Sequence, residues 1–75
     1  MPWAGFVKPI LIMSDFQTRL ETEQVDLEDR LNKLDNFLMS EKVKEIDDVQ
    51  QSLLKIQATA MNTYNQCLKE RLERL

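Results

Sequence analysis

"QTRLETEQVDLEDRLNKLDNFL", Gln17–Leu38, decides the fold. Leu20, Leu27 and Leu34 recur every seven residues, and Gln17, Gln24, Leu31 and Leu38 recur in the same frame. Together they make the a/d seam of a packed helix. Phe16 and Phe37 flank the seam and widen it. Glutamine at two a-type positions weakens the seam at its start, so Gln17 and Gln24 either set register or face a polar cavity. Upstream, "SDFQ" at Ser14–Gln17 has the pattern of a capping box, which places the start of helix 1 near Asp15. From Ser14 to Leu75 there is no glycine and no proline, and that absence favours helix throughout.

Apolar spacing lapses at "MSEKVKE", Met39–Glu45, where Ser40 can act as an N-cap. A second helical face follows in Ile46, Val49, Leu53, Ile56, Ala60 and Cys67. The pattern predicts helix 1 over about 15–39 and helix 2 over about 45–74, folded as an antiparallel two-helix hairpin. Residues 14–75 form this all-α unit. Residues 1–13, "MPWAGFVKPILIM", hold both prolines, the only glycine and the only tryptophan. They read as an N-terminal arm packing through Trp3, Phe6 and Ile10, or as an upstream extension before Met13.

Helix 2 carries a second stripe, Leu54, Met61, Tyr64, Leu68, Leu72 and Leu75, turned about 100° from the first. One hairpin gives helix 2 one neighbour, whereas two stripes ask for two. The second stripe (Leu54, Met61, Tyr64, Leu68 and Leu72) is therefore expected to form an oligomer interface, and the hairpins a homo-oligomeric helical bundle. The uncharged run Ile56–Leu68 fits that expectation, because a helix enclosed on most sides tolerates no charge. Cys67 lies in the first stripe and reads as a buried small hydrophobe. Self-association is also the support left to a chain of 75 residues that has one cysteine and no histidine.

The net charge of −3 argues against DNA or RNA as a partner. The apolar run at the N-terminus is too short to span a bilayer, and no membrane partner is expected. No metal site, cofactor or catalytic group is expected either: histidine, C-x-x-C and a phosphate loop are all missing. The chain is not expected to be an enzyme. Aromatic–basic pairs remain. Phe16 with Arg19, and Tyr64 with Arg71, could stack a nucleobase while a guanidinium holds phosphate, and Arg30 and Lys33 flank helix 1. The same residues could equally fill a core or an oligomer interface.

Phe16, Gln17, Arg19, Glu23, Leu27, Lys33, Leu34 and Phe37, followed by Leu53, Leu54, Gln57, Met61, Tyr64, Leu68 and Arg71, resemble a family of small phage-encoded helical hairpins found in crAss-like phages. The pattern is also similar to the phage sponges that counter CBASS and Thoeris defence. That resemblance implies a homo-oligomer, often a hexamer, in the cytoplasm of the infected bacterial host. Such an assembly binds cyclic oligonucleotides or cyclic ADP-ribose derivatives at chain interfaces without cleaving them. It also implies Phe16, Arg30 or Lys33, and Arg71 as ligand contacts, with Phe16 standing where many members have tyrosine. The alternative function is a helical module that binds or inhibits a host protein.

Overall fold

A computed structural model describes the backbone from Pro2 to Leu75 and the side chains from Asp15 onward. Any packing of Trp3, Phe6 or Ile10 lies outside the described residues. Helix α1 spans Pro2–Leu38, a 3-10 turn spans Glu41–Glu45, and helix α2 spans Asp48–Glu73. The two α-helices pack as a hairpin, and there is no strand among the described residues.

Helix α1 passes through Ser14 without a break. The Gln17 amide, expected to reach back toward Ser14, instead donates forward to Glu21 Oε1 at 3.2 Å. A capping box marks a start only where the upstream chain leaves the helix, and here it does not. At the other end the Ser40 hydroxyl donates to the Phe37 carbonyl at 2.7 Å, tying off α1. The cap of α2 is Asp47, whose carboxylate accepts from the Val49 N–H at 3.2 Å. Asp48 follows in the first turn, where its charge meets the positive end of the helix dipole.

The core is a single seam. Leu20, Leu27 and Leu68 are buried against one another, and Met61 and Leu72 pack on them. Leu31 is buried as well. Leu68 has no exposed surface at all. The stripe expected to face other copies is therefore the one that closes the hairpin. Leu68, Met61 and Leu72 meet α1 of their own chain, and Leu54 on the same helical face is half-buried. The stripe expected to close the hairpin lies open: Val49 is 64% exposed, Leu53 52% and Ile56 64%. Cys67, expected to be buried, is exposed with that stripe.

Polar residues explain the exchange. Asn65 lies on the closing face between Met61 and Leu68 and is 2% exposed. Its Oδ1 accepts from Gln24 Nε2 at 3.0 Å, and its Nδ2 donates to Glu28 Oε1 at 3.3 Å. Lys69 Nζ reaches the same Glu28 oxygen at 2.6 Å. Helical side chains tilt toward their own N-terminus. In an antiparallel pair, Glu28 and Lys69 therefore lean toward each other across the level of Gln24 and Asn65. The result is a polar belt inside an apolar seam with every buried side-chain polar atom partnered among the described residues.

Candidate ligand groove

Three of the residues expected to contact a ligand meet along one flank of the hairpin. Arg19 and Arg30 from α1 and Tyr64 from α2 line a groove of about 500 Å³ with Thr18, Thr22, Glu23, Asp26 and Leu27. Arg19, Thr22, Asp26 and Arg30 follow one another at steps of three, four and four, and Glu23 stands four residues after Arg19, which places them on one face of α1. Tyr64 crosses from α2, and its hydroxyl donates to the Glu23 carboxylate. That bond to an anionic acceptor raises the Tyr64 pKa above its ordinary 10.0, with partial desolvation and the Glu23 charge adding to the rise and Arg71 opposing it.

Phe16 and Arg71 form a second pair at the C-terminal end of α2. The Arg71 guanidinium carbon stands 5.9 Å from the Phe16 ring centroid, a cation–π contact worth about 0.5–1 kcal/mol at an exposed site. Arg71 also belongs to a different shallow groove, with Thr63, Gln66, Cys67 and Glu70. Phe16 is therefore paired with Arg71 rather than with Arg19, which bonds Asp15 at 2.6 Å. Lys33 does not line the main groove. Its ammonium is held by Asp29 at 3.1 Å on the exposed side of α1.

The groove mixes two guanidinium groups with two carboxylates and two threonine hydroxyls. Guanidinium groups hold phosphate oxygens in planar pairs. Carboxylates accept from sugar hydroxyls or base N–H groups, and threonines can do either. Arg30 forms no ion pair among the described residues, whereas Arg19 is held by Asp15. Thr18, Thr22, Glu23 and Asp26 escaped sequence reasoning as groove residues. The signal of Thr22, Glu23 and Asp26 was their stagger on the α1 face between Arg19 and Arg30, hidden because carboxylates among cations usually mark a solvated face.

The model of one protein family matches residues 14–74, nearly the whole hairpin. The chain belongs to the Sequestin family. No curated protein and no solved structure matches it. The Sequestin match begins at Ser14, so it takes in the α1 segment that carries the groove and the whole of α2. No helix among the described residues is long and apolar enough to cross a membrane.

Proposed function

We propose that this hairpin is a phage anti-defence protein that sequesters a small cyclic nucleotide signal in the cytoplasm of the infected host. The ligand is a cyclic oligonucleotide or a cyclic ADP-ribose derivative, and it is held intact rather than cleaved. The family name points to sequestration. The observation that carries the reading is the meeting of Tyr64, Arg19 and Arg30 in one groove. They offer an aromatic face for a base and cations for phosphate, and the Glu23 and Asp26 carboxylates beside them offer acceptors for ribose hydroxyls.

One hairpin supplies one wall of such a site. Small-molecule sites bury roughly 70–90% of their ligand, which a flank of two helices does not. The missing wall comes from further copies, as a homo-oligomer, with a hexamer implied by the likeness to phage sponges. The groove needs no catalytic group for this role. Retention depends on slow release from an enclosed site rather than on chemistry.

Calorimetric titration with cyclic dinucleotides, cyclic trinucleotides and cyclic ADP-ribose isomers tests the reading, with the two ligand sources in separate arms. The expected result is tight binding in one arm and release of unchanged ligand after heat denaturation. Silence across the panel, from protein whose circular dichroism is fully helical, would overturn it. The open stripe Val49–Leu53–Ile56 favours a second reading, a module that docks on a host protein through that face.

A further inference from the structure

The open stripe of α2 has an order within it. Val49, Leu53, Ile56, Ala60, Thr63 and Cys67 follow at steps of four, three, four, three and four, the spacing of a coiled-coil seam. Its N-terminal half is large: Val49, Leu53 and Ile56. Its C-terminal half is small: Ala60, Thr63 and Cys67. All six are exposed in the single chain.

We infer that α2 of a second copy packs antiparallel on this stripe, about a two-fold axis near Ala58. In that register Ile56 of each copy meets Ala60 of the other, Leu53 meets Thr63, and Val49 meets Cys67. Every layer then sets a large side chain against a small one, which fills space at the density a protein interior requires. A parallel pair would set large against large at one end and leave gaps at the other. The antiparallel layers are also of mixed a–d type, since each seam position faces the complementary position of its partner.

Charge selects the same orientation. The N-terminal end of α2 carries Asp47 and Asp48, and the C-terminal end carries Lys69, Arg71 and Arg74 against Glu70 and Glu73, which leaves it one charge positive. Antiparallel packing brings unlike ends together and opposes the helix dipoles, whereas parallel packing brings like ends together. The neutral stretch Ile56–Leu68 accounts for the middle, because it would be covered by α1 on one face and by the second copy on the other. The shallow groove of about 480 Å³ on Thr63, Gln66, Cys67, Glu70 and Arg71 receives Val49 of the second copy. The contact is isologous, and it stands whether or not the flank groove binds a nucleotide.

Cross-linking reads the register directly. In the antiparallel pair the two Cys67 side chains lie about 27 Å apart along the helices, at about 1.5 Å per residue, beyond the reach of a disulfide. The wild-type chain should therefore stay un-cross-linked under mild oxidation, while Val49→Cys should give a covalent dimer joining position 49 to Cys67. A companion series uses light scattering and sedimentation. Ile56→Ala and Ala60→Ile should each weaken association roughly tenfold, and I56A/A60I together should restore most of it. These sites are exposed in the hairpin, so circular dichroism should stay helical and separate failed pairing from failed folding. Wild-type cross-linking through Cys67, no gain with Val49→Cys, or a monomer at every concentration would each overturn the inference. Capture of a host protein by the stripe in place of a second copy would do the same.

Discussion

Gln24 and Asn65 lie 41 residues apart in sequence, and Gln24 Nε2 donates to Asn65 Oδ1 at 3.0 Å inside the seam. Each is buried, and Asn65 also binds Glu28. Sliding α2 by one turn would put Met61 or Leu68 against Gln24 and strand both amides. The pair therefore fixes where the helices meet. A buried amide left without its partner costs about 1–3 kcal/mol, so any shifted register is penalised at this one level.

Asn65→Ala should consequently destabilise the hairpin by roughly 1–3 kcal/mol, because it leaves the Gln24 amide unpaired and removes a donor from Glu28. Replacing both amides with leucine should recover much of that loss, since a well-packed apolar pair needs no partners. The double variant should show its defect elsewhere, as broader amide resonances from competing registers. Urea unfolding at fixed protein concentration measures the first effect, and two-dimensional NMR the second. A double variant as unstable as Asn65→Ala would refute the pairing argument.

The hairpin itself was legible because period-seven leucines need only the sequence to be seen. Which face of α2 meets α1 was not legible. Counting apolar residues favours Ile46, Val49, Leu53 and Ile56, and Asn65 looks like a blemish on the other face. Only when Asn65 is matched to Gln24 does the polar residue become the reason that face is inside. The groove divides the same way. Arg19, Arg30 and Tyr64 were readable as candidates by residue type, but their meeting depends on the register. Lys33 carries the same charge as Arg30 and sits three residues on, yet it turns away to Asp29.

Leu68 offers a plain test of where the core lies. Among the described residues it is the one side chain with no exposure, and Leu68→Ala should cost about 2–5 kcal/mol. A domain this small has little more than that in total, so loss of cooperative thermal unfolding is the expected outcome. Ile56→Ala, at a site 64% exposed in the single chain, should leave helicity intact. Equal damage from the two would contradict the assignment of faces.

Acid should loosen the belt. Lys69 and Asn65 hydrogen-bond the Glu28 carboxylate and, with the Lys69 charge, lower its pKa below the ordinary 4.5, against a smaller desolvation effect. A carboxylate with a depressed folded-state pKa stabilises the fold above its unfolded pKa and loses that contribution as pH falls through the folded one. The melting temperature should therefore drop on acidification below about pH 4.5, and Glu28→Gln should flatten that drop. An unchanged acid limb in Glu28→Gln would place the sensitivity in another group.

The phenol of Tyr64 should respond in the opposite direction. It is the only tyrosine, so its phenolate absorbance can be followed without interference from another. The Glu23 hydrogen bond raises its pKa above 10.0. A raised pKa on an acid means that the bond stabilises the fold below the unfolded pKa and stops doing so as pH rises through the folded one. Glu23→Gln should bring the midpoint down toward 10.0, and binding of a ligand that displaces the bond should do likewise. A midpoint unmoved by Glu23→Gln would remove Glu23 as its cause.

Arg30 and Lys33 separate a specific groove from general cationic attraction. Both lie on α1 and both are exposed, so non-specific attraction to a phosphate would lose about the same from either substitution. The groove includes Arg30, whereas Lys33 is bonded to Asp29 on another side. A charge-assisted hydrogen bond is worth about 1.5–3 kcal/mol, which is roughly 10- to 150-fold in affinity at about 1.4 kcal/mol per decade. Arg30→Ala should therefore weaken binding of a cyclic nucleotide by that factor, and Lys33→Ala by less than about twofold. Arg30→Lys should recover only part of the loss, because an ammonium keeps the charge but not the planar pair of donors. Calorimetry at two salt concentrations completes the comparison: a groove contact persists at the higher salt, while a diffuse attraction fades. Equal losses from Arg30→Ala and Lys33→Ala that vanish together in salt would move the ligand off this flank.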